Sequence, residues 1–253
     1  LLWMAFITVI SMGAGPAWAQ SMPASASEAP QSAPNPQDPW ESFNRKMFGF
    51  NDALDGEVLQ PVARVYRENT PKLIQTGVSN FFGNLRDLWS GVNSALQAKP
   101  GPALQDTGRF LVNSTIGIYG LFDLATPLGL ERHSEDLGQT LGRWGVGTGP
   151  YVVLPFFGPS TVRDAIGLVG DSKASLLNRV SDIPERNALY ATRVVDVRVK
   201  LLPLTDQVDR VALDKYTFTR DAYLQKRLND VYDGDPPEAK DVSDGGDAQP
   251  PKP

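Results

Sequence analysis

DPWESFNRKMFGFNDAL, residues 38–54, is the stretch that shows where the folded part of the chain begins. Asp38 can cap a helix, Pro39 suits a first helical position, and Glu41 completes the spacing of a capping box. Apolar residues then recur every three or four positions, which is the period of one helix face. They are Trp40, Phe43, Met47, Phe50 and Leu54. The stretch therefore predicts a helix with a strongly aromatic face.

The same periodicity predicts helices through most of the remaining chain. They are expected to start at Thr70 and Leu85, to cover 103–114, 158–169 and 184–202, and to end with a helix capped by Thr205 that runs to about Val231. Because these segments outnumber every other predicted element, helices dominate the expected fold.

The middle of the chain interrupts this helical pattern. Glycines crowd between 116 and 149, and a glycine inside a helix costs about 1 kcal/mol, so loops and broken helices are expected there. Tyr151–Leu154 has the composition of a strand, and Pro155 ends it, which predicts one small hairpin near 145–156. The fold class is therefore predicted to be mainly α, as a single helical domain with one small β-hairpin.

The two ends of the chain differ from its middle in composition. Residues 1–19 are predicted to be a signal peptide, an apolar run followed by the small residues Ala17 and Ala19. No basic residue precedes the apolar run, so a short membrane anchor stays the alternative. Residues 20–37 are predicted to be a flexible linker and residues 233–253 a disordered acidic tail. The folded domain is therefore expected to span 38–232.

Composition excludes several classes of function. The 253 residues contain no cysteine, which excludes disulfides, cysteine zinc sites and thiol catalysis. The formal net charge of −5 lacks the basic footprint of a nucleic-acid-binding protein, so no nucleic acid is expected as a partner. Beyond the signal peptide, nothing approaches the roughly 20 apolar residues of a transmembrane helix.

Patterns for catalysis and metal binding are weak. His133 is the only histidine, so no second one is available for a metal cluster. Ser160 lacks the second glycine of a nucleophile elbow and is better interpreted as a helix cap. The run Gly145–Gly149 is similar to a phosphate loop, but a proline and a strand follow it where a helix is required. We therefore predict no catalytic residue, no metal and no cofactor.

Aromatic side chains are dense between residues 40 and 157. A packed helical core explains most of them singly, but several short helices carry apolar residues on more than one face. Helices of that kind can lie in a membrane interface. The residues predicted to contact lipid there are Trp40, Phe43, Phe50, Phe81, Phe82 and Trp89. Export and interfacial helices together suggest a protein that handles lipid at a membrane surface.

Several ordered motifs resemble those of the MlaA/VacJ family. They are DPWESFNR (38–45), VSNFF (78–82), RFLVNS (109–114), EDLGQTLG (135–142) and GVGTGPYVVLP (145–155). The similarity runs from Asp38 to about Asp171, which is most of the expected folded domain. Chance agreement does not produce so many motifs in one order.

The resemblance implies both a fold and a function. Family members are discs or rings of amphipathic helices that lie in the inner leaflet of the Gram-negative outer membrane and enclose a channel. They partner trimeric porins and remove phospholipids misplaced in the outer leaflet, which pass to a soluble periplasmic lipid carrier. This chain is thus expected at the periplasmic face of the outer membrane, as a retrograde phospholipid transport component. The family's gating hairpin maps onto Gly145, Gly147, Gly149, Pro150, Tyr151 and Pro155.

Two other functions stay open, and one feature departs from the family. A periplasmic scaffold would bind a porin without passing lipid, and a hydrolase of envelope lipids would use Ser160 or His133. Family members are commonly held by an acylated cysteine just after the signal, whereas this sequence contains none. We therefore expect the aromatic helices and the partner to attach the protein to the membrane.

Overall fold

The structure is a computed structural model and describes residues 35–237. The predicted signal peptide, nearly all of the predicted linker and most of the predicted tail lie outside the described residues. A π-helical turn joins the first two helices, and a 3-10 turn precedes the seventh. The helices are α1 (Glu41–Leu54), α2 (Gln60–Asn69), α3 (Lys72–Leu96), α4 (Pro100–Thr115), α5 (Leu137–Arg143), α6 (Val162–Ala174), α7 (Ile183–Val211) and α8 (Lys215–Val231).

Strands β1 (Tyr151–Leu154) and β2 (Gly158–Thr161) form one antiparallel hairpin. The predicted mainly α class with one small hairpin is therefore confirmed within the described range. The position predicted for the hairpin, 145–156, is wrong, because the chain reverses after Leu154 and Gly158 starts a second strand. Phe156 and Gly158 adopt φ angles of 65° and 81°, which allow this tight reversal.

The start of α1 differs from the prediction because Asp38 has a tertiary role. The helix begins at Glu41, and no side chain caps it. Asp38 is buried and accepts hydrogen bonds from Asn44 Nδ2, at 2.8 Å, and from the Tyr216 hydroxyl of α8. The prediction that Asp38 caps α1 is wrong, since its carboxylate joins α1 to α8 instead.

Two further helix starts are also displaced. Helix α4 begins at Pro100 instead of residue 103, because proline is accommodated in the first turn of a helix. Helix α6 is capped by Thr161, whose hydroxyl accepts from the Asp164 amide at 3.2 Å. The prediction that Ser160 is the cap is therefore wrong, because Ser160 belongs to β2.

The last two helices divide at a later point than predicted. Helix α7 continues through Pro203 to Val211, and Thr205 lies inside it. The Thr205 hydroxyl donates to the carbonyl of Leu201 at 3.2 Å, which stabilises the turn around the proline. Thr205 is thus not a cap, and Asp214 caps α8 through the amide of Tyr216.

Helices α3 and α4 pack side by side through polar contacts. Ser90 Oγ donates to Asp106 Oδ2 at 2.7 Å, and Arg109 Nε donates to Asp87 Oδ2 at 3.2 Å. Arg109 is only 1% exposed, and its charge is balanced by Asp87 of α3 and by Asp123, which follows α4. A helix on the surface of a soluble protein normally buries its apolar face, and this pair does the reverse.

The outward faces of this pair, and the loop that follows α4, are apolar. More than half of the residue surface is exposed at Leu73, Ile74, Leu104, Leu111, Ile116 and Tyr119. Among residues 35–237, no helix combines the length and the apolar character needed to cross a membrane.

An aromatic cluster anchors the hairpin to the last helix. Tyr151 and Val153 of β1 are fully buried against Tyr216 and Tyr223 of α8. The Tyr151 ring lies 6.3 Å and 6.1 Å from the two α8 rings, in edge-to-face geometry. One face of β1 is therefore fixed in the core.

Candidate functional site

A cavity of about 1080 Å³ opens beside the hairpin. Its walls come from α3, the hairpin, α6, α7, α8 and the segment before α5. Its apolar lining includes Phe82, Leu85, Trp89, Val92, Leu154, Phe157 and Leu168. A cavity of this volume is large enough for a ligand with both apolar and polar parts.

One wall of the cavity carries a buried ionic cluster. Arg227 of α8 is 5% exposed and donates to Asp164 of α6 at 2.8 and 3.0 Å and to Asp136 at 2.6 and 3.0 Å. Tyr223 also donates to Asp164, at 2.8 Å. Burial raises the pKa of Asp136, but the Arg227 charge and its hydrogen bonds outweigh burial and lower that pKa to about 2. The cluster therefore stays ionised and ties α8 to α5 and α6.

Asp171 joins three helices at the cavity wall by accepting hydrogen bonds from Trp89 of α3 and from the start of α5. The indole Nε1 of Trp89 donates to Asp171 Oδ1 of α6 at 2.7 Å, and the amide of Leu137 in α5 donates to the same oxygen at 3.0 Å. Burial raises the pKa of Asp171, although these donors act against the shift. Trp89 is thus a positioned wall residue.

Two asparagines of α1 hold the free edge of β1. Asn44 accepts from the amide of Val153 at 2.8 Å and donates to the carbonyl of Tyr151 at 3.1 Å. Seven residues later in α1, Asn51 donates to the carbonyl of Leu154 at 3.0 Å and accepts from the amide of Phe156 at 2.8 Å. The amide side chains satisfy this strand edge as a further strand would.

Four of the residues predicted to form a gate lie in the loop before β1. They are Gly145, Gly147, Gly149 and Pro150. Gly145 and Gly149 adopt φ angles of 91° and 69°, which favour glycine, whereas Gly147 does not lie in this region.

The other two predicted gate residues lie within the hairpin. Tyr151 is fully buried in the aromatic cluster, and Pro155 is exposed in the turn between the strands. The hairpin residues that border the cavity include Leu154 and Phe157. Pro159 and Ser160 of β2 line it as well, so the end of β1, the turn and the second strand all border the cavity.

Of the six residues predicted to contact lipid, three are exposed, one is half-buried and two line the cavity. Three of them are exposed on α1 or just before it: Trp40, Phe43 and Phe50 have 46, 50 and 44% of their surface exposed. Phe81 is half-buried and packs edge to face on Phe82. Phe82 is 8% exposed and lines the cavity together with Trp89, so the structure places these two rings in the cavity wall.

Sequence reasoning missed the apolar surface of α4, although a signal was present. Asp106, Arg109 and Asn113 recur at spacings of three and four and form one polar stripe, which the structure buries. Assigning that stripe to the interior would have predicted that Leu104 and Leu111 face outwards.

The two residues considered for hydrolysis have structural contacts. His133 Nδ1 lies 3.4 Å from Asp106 Oδ1, which also accepts from the His133 amide at 2.9 Å. Ser160 Oγ donates to the carbonyl of Thr161 at 3.2 Å. Between residues 35 and 237, no group of three or more His, Cys, Asp or Glu side chains is arranged to hold a metal ion.

Known proteins of similar sequence share the described region. The MlaA lipoprotein family profile matches residues 36–230. The chain is 36% identical over 193 residues to the intermembrane phospholipid transport system lipoprotein MlaA of Escherichia coli (strain K12), which covers 75% of this chain and 76% of that protein. It is 32% identical to the protein of the same name from Haemophilus influenzae, over 81% of this chain and 83% of that one.

A solved structure shows the same fold. It comes from work on the structural basis for maintenance of bacterial outer membrane lipid asymmetry, and it superposes with a TM-score of 0.68. The two chains are 35% identical, and the match covers 77% of this chain and 98% of the other. The family profile, the curated relatives and the fold agree, and the chain belongs to the MlaA lipoprotein family.

Proposed function

We propose that this protein removes phospholipids misplaced in the outer leaflet of the Gram-negative outer membrane and passes them through its cavity to a soluble periplasmic carrier. One observation carries the proposal: α3 and α4 bury their polar faces and expose apolar ones beside a cavity of about 1080 Å³. Such a surface is more stable against hydrocarbon than against water. The curated relatives named above belong to an intermembrane phospholipid transport system.

The proposed location is the periplasmic face of the outer membrane. The apolar side chains of α3 and α4 would enter the inner leaflet, and Trp40 would lie at the headgroup level, where tryptophan is enriched. A trimeric porin is the proposed partner within the membrane, as the family resemblance implies.

The cavity suits an amphiphile because its lining is mixed. Phe82, Leu85 and Leu168 offer apolar surface for acyl chains, while charged side chains of α3, α7 and α8 line other parts of the wall. Transport requires no covalent step, so the structural contacts of His133 and Ser160 agree with it.

The proposal is tested by expressing the protein in a strain that lacks its own family member. Phospholipid in the outer leaflet is measured by labelling phosphatidylethanolamine on intact cells with a membrane-impermeant amine reagent. We expect the labelled fraction to return to the wild-type level. Unchanged labelling at normal protein abundance would contradict the proposal.

The same strain separates the two alternative functions. Co-purification of a porin without any change in labelling would support a periplasmic scaffold. Lysolipid or free fatty acid that appears on expression and disappears in Ser160→Ala would support a hydrolase.

We propose that the hairpin and the loop before it gate the cavity, and Gly149→Val tests this. A valine at φ 69° is strained by about 1–2 kcal/mol, and its Cβ would lie 3.1 Å from Val162 Cβ. We expect a marked loss of phospholipid clearance in the labelling assay. Gly129→Val is the matched control, because Gly129 also has a positive φ, 79°, lies outside the hairpin and the loop before it, and a Cβ there meets no atom within 4 Å. Equal clearance by both variants, at equal abundance, would argue against the gate.

A further inference from the structure

Two of the arginines that line the cavity lie on neighbouring helices and have no acidic partner among the described residues. Arg86 lies on α3 and Arg193 on α7, and these helices pack against each other. Within residues 35–237, neither side chain forms an ion pair or a hydrogen bond. Arg86 is exposed and Arg193 is half-buried, so both are accessible from the cavity.

The positive charges of the two guanidinium groups repel each other, so each makes the protonated form of the other less favourable. Burial lowers the pKa of Arg193, and the nearby charge of Arg86 lowers it further. Within the same part of the chain, no carboxylate contact offsets these two effects. An anion bound between the two guanidinium groups would offset both the burial of the Arg193 charge and its repulsion by Arg86. The pair therefore meets the electrostatic condition for an anion site.

The acidic residues of the cavity wall are already engaged. Asp136 and Asp164 are paired with Arg227, and Glu135 is paired with Lys99 at 3.0 Å. Asp230 pairs with Lys226, and Asp171 accepts from Trp89 and the Leu137 amide. By contrast, Arg179 and Lys173 line the same cavity and form no ion pair with any described residue. Among the described lining residues, four cationic side chains therefore lack a carboxylate partner, whereas Asp171 is the one carboxylate without a cation.

We propose that Arg86 and Arg193 bind the phosphate of a phospholipid headgroup inside the cavity, an inference that rests on the proposed function. A guanidinium group can donate two parallel hydrogen bonds to phosphate oxygens. Leu85, Leu88 and Trp89 flank Arg86 in sequence and line the same cavity, so acyl chains would find apolar surface beside the phosphate. The pair selects for the phosphodiester, whatever group it carries.

The test measures lipid binding to the purified full chain in a neutral detergent by native mass spectrometry. The two probes are phosphatidylglycerol and a diacylglycerol with the same acyl chains, which lacks the phosphate. We expect the wild type to prefer phosphatidylglycerol, and Arg86→Gln and Arg193→Gln each to weaken its binding about tenfold, since charge-assisted hydrogen bonds are lost. Binding of diacylglycerol should not change.

Arg210→Gln is the matched control. Arg210 is exposed on the same helix as Arg193, lies outside the cavity lining and forms no ion pair with a described residue, so its loss should leave both lipids unaffected. A stability measurement adds a second readout. Removing an uncompensated, partly buried charge should leave the Tm of Arg193→Gln unchanged or higher, whereas a structural arginine would lower it.

The remaining outcomes distinguish the sources of failure. If the glutamine variants keep the preference for phosphatidylglycerol, the arginine site is wrong while the proposed function stands. If inorganic phosphate binds alone and displaces phosphatidylglycerol at equal concentration, the pair is a free-phosphate site and the headgroup assignment is overturned. If the wild type binds neither lipid, the proposed function fails together with the site.

Discussion

Replacing Arg227 with methionine is expected to destabilise the protein by about 3–5 kcal/mol, because the change leaves Asp136 in the cavity wall without its cation and Asp164 with Arg163 alone. Asp136 and Asp164 receive four hydrogen bonds from this one guanidinium group. Typical stabilities are about 5–15 kcal/mol, so the loss is a large share of the total. Chemical denaturation of the two purified proteins, followed by circular dichroism, measures the difference.

The effect of Arg227→Met should depend on pH. The pKa of Asp136 is about 2 in the folded protein and 3.8 in its unperturbed state. The stabilisation from its ionised form is therefore fully present above about pH 4 and is lost as the pH falls towards 2. We expect the difference between wild type and variant to shrink across that window, because protonated carboxyl groups no longer need the cation.

Arg64→Met is the control for this prediction. Arg64 pairs with Asp206 at 3.1 Å, but the two side chains are 44% and 33% exposed. An exposed pair contributes about 0–1 kcal/mol, so this variant should unfold close to the wild type at every pH. An equal loss of stability in both variants would show that the buried cluster has no special role.

Gly167→Ala is the second substitution with a large expected effect. At this crossing of α5 and α6, a Cβ on Gly167 would lie 2.5 Å from the backbone nitrogen of Gly138 and 2.7 Å from its Cα. Backbone atoms cannot move aside as a flexible side chain can, so the helices must separate. We expect a loss of about 1–3 kcal/mol or more from overpacking, although alanine favours a helix over glycine. Thermal unfolding measures it.

Gly49→Ala provides the matched comparison for the crossing. Gly49 is exposed inside α1, and a Cβ there meets no atom within 4 Å. The same substitution should therefore stabilise the protein by about 0.5–1 kcal/mol through helix propensity. We expect the free energy of unfolding to rise in Gly49→Ala and to fall in Gly167→Ala. A destabilised Gly49→Ala together with a neutral Gly167→Ala would contradict the packing argument.

Periodicity predicted the helical class and most helices, because amphipathic spacing is a local property of the sequence. It failed where a residue suited to a local role has a distant partner. Asp38 has the spacing of a helix cap, but Tyr216 and Asn44 bind it in the interior. Thr205 follows a proline, as a new helix start would, yet α7 continues past it. Nothing in the neighbouring residues distinguishes these cases.

The candidate site was predicted only in part for the same reason. The family resemblance of the motif at 145–155 implied a hairpin beside a channel, and the structure has a hairpin at 151–161 that borders the cavity. The arginines Arg86 and Arg193 come together only when α3 packs on α7, so no spacing in the sequence relates them. The two asparagines of α1 lie seven residues apart on one face, which indicates a shared partner without identifying β1.

The polar contact between α3 and α4 has a consequence for the solvent in which the pair is stable. Helices joined by apolar contact lose their driving force when hydrocarbon replaces water, since the lipid tails compete equally for the same surface. Hydrogen bonds and ion pairs such as Arg109 with Asp87 and Ser90 with Asp106 instead strengthen as the dielectric constant falls. The cohesion of this helix pair therefore survives transfer between an aqueous compartment and a bilayer.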